Sequence, residues 1–200
     1  MRIKKALPMP AAEHTTRGGF LLGCEPQQYA GLLEAGQVWL LQVKGTAVGF
    51  AAALTNAMLR ASPLWHTRDA IDWDASFDPQ PWLGKRIGFF DQLAVLPSVR
   101  YRYWGAALAL RALLSLTEDD RDELVLTTTV VAPIVNAAAL PFLVRVGAQA
   151  VGRLVEHNTP RGTIVSAVHA IHVDRFREAM VRRRGKLQPA ALRVVEAVWP

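Results

Sequence analysis

The stretch from Phe90 to Leu110 reads FDQLAVLPSVRYRYWGAALAL. An apolar run ends near a proline, a short basic loop follows, and apolar residues then recur at helical intervals. A loop that leads from a strand into a helix turns several backbone N–H groups toward one spot, where the helix dipole also favours negative charge. Arg100 and Arg102 add charge-assisted donors, and Gly105 allows the backbone to come close to a ligand. This arrangement suits the binding of a phosphate-bearing group over Tyr101, Arg102, Tyr103, Trp104, Gly105 and Ala106. A basic turn of this kind recurs across α/β proteins, so on its own it names no ligand.

A second stretch, VVAPIVNAAALPFLVRVGAQAVG from Val130 to Gly152, sharpens the first. Together the two blocks resemble the signatures of the GNAT superfamily of N-acetyltransferases, in that family's order. The first signature is Arg or Gln, two residues, Gly, one residue, then Gly or Ala, behind a strand that ends in valine near a proline. Val95, Pro97, Arg100 and Gly105 match it. The second places Asn at a helix start, Ala three residues on, and Gly with a hydrophobic residue at the end. Asn136, Ala139, Gly147 and Ala148 match that one. With the hairpin VWLLQVKGTAVGF, the likeness runs from about Val38 to Val173 outside one insertion.

The resemblance implies a GNAT fold: α/β, with a mixed, mostly antiparallel central sheet and helices on both faces. It implies acetyl-CoA or another acyl-CoA as co-substrate, no metal, and a small amine as acceptor. Transfer would be direct: the neutral amine attacks the thioester carbonyl, a backbone N–H of the Phe89 to Val95 strand holds the oxyanion, and thiolate leaves. The pantetheine arm would lie between the strand ending at Val95 and the strand beginning near Leu124, bonded to the backbone of Leu93 and Val95 as an added strand would be. Asn136 would cap its helix and reach the same arm. Asp91 is the carboxylate best placed beside the thioester. It has three readings: a base that takes the amine proton, a partner for the substrate's ammonium, or half of a surface pair with an arginine. Two positions depart from the family. Tyr103 stands at the first glycine of the phosphate loop, so the backbone there needs negative φ. Leu143 stands where many members have a tyrosine that protonates the leaving thiolate, and leucine has no proton to give.

The elements that must hold these residues can be read from pattern. Val38 to Val43 and Val48 to Leu54 are strands joined across Lys44, Gly45 and Thr46. Ile87 to Val95 is a third strand. Arg100 to Gly105 is expected as a loop and Trp104 to Leu116 as a helix, with Ala107, Leu110, Leu113 and Leu114 on one buried face. Leu124 to Val131 is a strand; Asn136 begins a short helix that Pro141 shortens or bends and Gly147 stops. Val151 to Val155 and Thr163 to Val173 finish the sheet, and Pro189 to Trp199 is an amphipathic helix. Asn56 to Arg86, crowded with Trp65, Trp73 and Trp82, reads as a long insertion bordering the acceptor site. Its tryptophans pack on the sheet or wall a pocket, and its Asp69, Asp72, Asp74 and Asp78 could draw in a cation.

Composition sets the frame. The 200 residues, 51% hydrophobic and 20% charged, suit a single domain over residues 1–200. Cys24 is the sole cysteine, which excludes an intrachain disulfide and fits a reducing, cytoplasmic setting; as a residue it is a small hydrophobe or a nucleophile without a histidine partner. The first ten residues lack the apolar run of a secretory signal. Leu124 to Val144 is uncharged and about as long as a membrane span, but three threonines, Pro133, Asn136 and Pro141 divide it, so no membrane partner is expected. A net charge of +6 favours polyanions, coenzyme A among them. Nucleic acid is not the expected partner, because the run Arg182 to Lys186 has no aromatic platform beside it; a homodimer stays open. His169 and His172, three apart on a strand, face opposite sides and do not form a metal pair. Leu143 also motivates a reading in which the chain binds acyl-CoA as a sensor or interaction module and turns it over weakly.

Overall fold

The computed structural model of the chain describes residues 2–8, 20, 22, 26–34, 37–97, 102–117, 123–159, 162–184 and 196. Its strands are β1 Val38–Val43, β2 Thr46–Leu54, β3 Ile71–Trp73, β4 Ile87–Val95, β5 Leu124–Ala132, β6 Gln149–Thr159 and β7 Gly162–His172. They form one seven-stranded sheet in the order β1-β2-β4-β5-β7-β6-β3. Every neighbouring pair is antiparallel except β4 and β5. The helices are α1 Arg2–Ala6, α2 Pro26–Glu34, α3 Asn56–Ala61, α4 Pro63–Thr67, α5 Gln80–Leu83, α6 Arg102–Thr117, α7 Leu140–Arg145 and α8 Val173–Arg184. The expected mixed, mostly antiparallel sheet with helices on both faces is what the chain forms.

Local chemistry explains the joints. The β1–β2 hairpin turns on Lys44 and Gly45, with φ of 50° and 76°; positive φ at both central residues gives the turn whose twist matches the strands it joins. The parallel pairing of β4 and β5 requires a crossover, and α6 supplies it. On that face of the sheet α6, α7 and α8 enclose Phe90, Val125, Ile171 and Phe176. The four α6 residues expected to be buried are buried, and so are Leu108, Ala109, Ala112 and Leu116. Most of the helix circumference is covered, which a single apolar stripe did not suggest.

The opposite face is covered by α2 and by the insertion. Residues 56–86 hold three short helices, a turn of 3-10 helix at Arg68–Ala70 and strand β3. β3 pairs with β6 through Ile71↔Leu154 and Trp73↔Gly152, so the insertion extends the sheet at the edge far from β1. Gly152 makes that approach feasible, since a Cβ there would lie 2.7 Å from the Asp72 carbonyl oxygen. Trp65, Trp73 and Trp82 pack against Leu54, Ile87, Phe89 and Leu124. Arg60 lies over the Trp65 ring at 4.5 Å and donates to the carbonyls of Leu83 and Lys85 at 2.8 Å, which ties the insertion's two ends together. Its aspartates are exposed: Asp69 lies 3.5 Å from Arg68 and Asp78 accepts from the Gln80 N–H.

Candidate functional site: an open cleft between two parallel strands

β4 and β5 pair from Ile87↔Leu124 to Phe90↔Thr127 and no further, although they continue to Val95 and Ala132. Each is held on its outer side, β4 by β2 up to Val95↔Gly49 and β5 by β7 up to Ala132↔Val165. A bulge marks the transition. Ala52 pairs with Gln92 and Ala53 with Phe90, which leaves Asp91 as the extra residue in β4. A bulge bends its strand and ends regular pairing, and Asp91 is the first residue beyond the paired half.

The ladder alternation tells which backbone groups face the open half. Leu96 donates its N–H to the Val48 carbonyl at 2.8 Å, so Ala94 and Gln92 also bond to β2, while the N–H and C=O groups of Leu93 and Val95 turn toward β5. On β5, Val173 donates to the Glu123 carbonyl at 3.2 Å, so the even-numbered residues face β4. The Val130 carbonyl is taken by the N–H of Asn136 at 2.9 Å. The open half is therefore a backbone edge made by Leu93, Val95 and Thr128. Their side chains serve packing: Leu93 and Val95 lie against the core under α6.

The first turn of α6 stands over the end of β4. A Cβ on Gly105 would meet Val95 Cγ2 at 3.3 Å, and one on Gly49 would meet the same atom at 3.0 Å, so two glycines let neighbouring backbones close on Val95. The helix begins at Arg102 and not at Trp104. Tyr103, Trp104, Gly105 and Ala106 thus belong to its opening turns, which corrects the expected loop; no proline bars the helix from reaching back to Arg102. Helical backbone at Tyr103 has the negative φ its side chain requires. The N–H groups of Arg102, Tyr103 and Trp104 have no partner inside the helix and lie at the mouth of the open half. Trp104 is exposed at 42% and Ala106 is exposed. Arg100 and Tyr101, and the side chains of Arg102 and Tyr103, lie outside the described residues. So do Cys24, Gly185 and Lys186, the side chains of Arg183 and Arg184, and the expected last helix apart from Glu196.

Asp91 is partly buried, and burial pushes its carboxyl up to about 6 from 3.8, opposed by a hydrogen bond from Gln92. Gln92 Nε2 donates to Asp91 Oδ2 at 3.0 Å. Tyr29 of α2 donates its hydroxyl proton to Gln92 Oε1 at 2.6 Å. No arginine pairs with Asp91 among the described residues. Sequence pattern missed Tyr29 and Gln92, since neither lies in a signature and their meeting depends on how α2 packs across the sheet.

Asn136 does not cap a helix. α7 begins at Leu140 with Ala139 in the N-cap position, because residues 137–139 form a separate turn. Asn136 Nδ2 instead donates to the Phe20 carbonyl at 3.2 Å, and its buried Oδ1 has no partner among the described residues. Pro141 falls in the first turn of α7, where a missing N–H costs no hydrogen bond, and the helix is short, as expected. Gly147, with φ of 78°, ends it: Ala148 donates to the Leu143 carbonyl at 3.0 Å and Gly147 to that of Val144 at 3.3 Å, the glycine-terminated pattern. Leu143 is 5% exposed, so a bulkier tyrosine there would overpack its surroundings.

His169 and His172 do face opposite sides of β7. His169 is buried, directly across from Thr127, while His172 stacks on Trp82 with ring centroids 5.2 Å apart. Burial lowers both pKa values, with Arg175 adding to the effect on His172. A cavity of about 290 Å³ adjoins His172, Lys85, Glu123 and Arg177, at the paired end of the sheet and away from the open half; the 2.7 Å Lys85–Glu123 ion pair forms part of its wall. Among the described residues no group of three or more His, Cys, Asp or Glu side chains could hold a metal ion, and no helix is long and apolar enough to cross a membrane.

A sheet of this order, split at the one parallel pair among the described strands, has the GNAT fold. Solved structures with it include Arabidopsis thaliana NAA60 in complex with acetyl-CoA, with a TM-score of 0.53 and 16% identity over 76% of this chain and 87% of that one. Another is the Drosophila melanogaster polyamine N-acetyltransferase, with a TM-score of 0.52 and 14% identity over 78% and 85%. An agmatine N-acetyltransferase aligns with a TM-score of 0.52 and 15% identity over 75% and 82%. No family model and no curated protein matches the sequence.

Proposed function

We propose that the chain is an acyl-CoA-dependent N-acyltransferase that moves an acyl group, acetyl first of all, to a small amine. The observation that supports this most is the open half of β4 and β5. Backbone groups of Leu93 and Val95 face a gap that ends beneath the free N–H groups of α6, so an extended ligand arm could add to β4 while its phosphates rest on the helix terminus. Arg100 and Arg102 supply charge beside Tyr101 to Ala106, and the unpartnered Asn136 Oδ1 accepts from an amide of the arm. Asp91, at the root of the gap, takes the amine proton as nitrogen attacks the thioester carbonyl. With Leu143 in place of a proton donor, the thiolate leaves unassisted or with water, which a thiol of reference pKa about 8.5 permits near neutral pH. Positioning amine and thioester together supplies most of the acceleration.

Acetyl-CoA with agmatine or spermidine, followed by free-thiol release, tests this reading; the acceptors are chosen because structural neighbours act on agmatine and polyamines. Turnover with saturable dependence on both substrates is the expected result. Tight coenzyme A binding without thiol release from any amine would favour the sensor module. No coenzyme A binding at millimolar concentration would overturn both readings.

A further inference from the structure

Asp91 occupies a bulge, and a bulged side chain lacks the flanking ladder that fixes its neighbours. Something else must hold it. Gln92 lies on the sheet face covered by α2, as its bond to Tyr29 requires, and its amide reaches back to the preceding residue to hold Asp91 Oδ2. An amide can present either its oxygen or its N–H₂ group to a neighbour. Here a hydroxyl donated to Oε1 leaves Nε2 as the only end that can face the carboxylate. The Tyr29 ring is itself fixed: it meets Phe50 edge-on at 5.7 Å and packs in a cluster with Ile3 and Ala94.

We propose that Tyr29, acting through the amide of Gln92, is the positioning residue that holds Asp91 in one rotamer with one oxygen bound and the other directed to the substrate. The proposal rests on Asp91 being the base. In the step it serves, the amine nitrogen forms a bond to the thioester carbon, the N–H proton passes to the unbound carboxylate oxygen, and the C–S electron pair leaves with sulfur. Gln92 and Tyr29 exchange no proton with the substrate; they keep the acceptor oxygen aimed and its charge partly stabilised. Among the described residues, Gln92 is the side chain bonded to this carboxylate. β2 and β5 have no ionisable side chain, α2 has Tyr29 and the exposed Glu34, and α3 has Arg60, which is bonded to Asn56, Leu83 and Lys85. α1 carries Arg2, Lys4 and Lys5, of which Lys5 is exposed, and α6 carries Arg102, Tyr103 and the half-buried Arg111.

The test uses the free full-length protein labelled with carboxyl-¹³C aspartate, titrated by NMR in wild type, Gln92→Met and Tyr29→Phe, with the Asp91 signal assigned by its loss in Asp91→Asn. In wild type the midpoint should fall at about 6. Loss of a hydrogen bond to the charged form should move it upward by roughly one pH unit in Gln92→Met, with a smaller upward move in Tyr29→Phe. The acid limb of kcat/KM for acetyl transfer to agmatine should move with it, at unchanged affinity for coenzyme A. Coincident midpoints in all three proteins would overturn the relay. If Asp91→Asn retains full activity and the same acid limb, the base assignment fails instead, whatever the midpoints do.

Discussion

The two halves of β4 and β5 differ sharply. From Ile87 to Phe90 and from Leu124 to Thr127 the strands pair, nearly every side chain is buried, and both faces are covered. Five residues further along β4 the same strands make no bond to each other, and Asp91, Gln92 and the free backbone of Leu93 and Val95 occur within that span. A sheet gains stability by pairing every backbone group. The open half gives that up on one side and keeps it on the other, where β2 and β7 continue to the strand ends. The paired half holds the fold, and the open half leaves a backbone edge without a partner strand, which on the proposed reading receives the ligand.

Substitutions that strike one half should leave the other half's property intact. Asp91→Asn should produce the largest effect, lowering kcat/KM by about 10²- to 10⁴-fold, the range for loss of a proton-transfer group, with coenzyme A affinity preserved in calorimetry. The same variant should be more stable than wild type at neutral pH. The folded-state value of Asp91, about 6, lies above 3.8, so its stabilising contribution is full below about pH 4 and is lost as pH rises through 6. Above that, ionised Asp91 costs on the order of 2–3 kcal/mol. Denaturant melts should show a gain for Asp91→Asn at pH 7.5 that vanishes near pH 3.5.

Leu124→Ala, in the paired half, should do the reverse. Leu124 is 1% exposed, and a cavity there should cost about 2–5 kcal/mol of stability, read from denaturant midpoints, while the folded fraction keeps its affinity for coenzyme A. Gly105→Val probes the boundary between helix and open edge. Its side chain would press on Val95 Cγ2, already 3.3 Å from a Cβ, and acetyl-CoA affinity should fall by roughly tenfold, about 1.4 kcal/mol. Asn136→Ala should have the smallest effect, costing about 1 kcal/mol through the bond to Phe20 and leaving the circular dichroism of α7 unchanged, since that helix has no cap to lose.

How far this could be seen in the sequence follows the range of the interactions. The hairpin at Lys44–Gly45, the strand from Ile87 to Val95, the α6 stripe of Ala107, Leu110, Leu113 and Leu114 and the stop at Gly147 are set by neighbours a few residues apart, and pattern located them. The candidate site was half legible: Leu93, Val95, Gly105 and Asp91 stood out through the family likeness and their order, and the structure sets them around the open half. Asn136 lies in that likeness too, but three residues of turn separate it from the helix it was expected to cap, and spacing alone does not reveal where a turn closes. The elements inside the insertion were not legible because its helices are four to six residues long and its strand is stabilised by β6, some eighty residues away. Tyr29 and Gln92 meet across 63 positions, a contact that no local signal carries.

Amide hydrogen exchange in the open half, with and without acetyl-CoA, tests the central claim most directly. In the free protein the N–H groups of Leu93 and Val95 should exchange quickly, because they face the gap, while those of Gln92 and Ala94, bonded to β2, should be protected. Saturating acetyl-CoA should slow Leu93 and Val95 markedly, bring Arg102 to Trp104 with them, and leave Gln92 and Ala94 as they were. If acetyl-CoA binds and the exchange of Leu93 and Val95 does not change, the ligand lies elsewhere and the open edge is not its site.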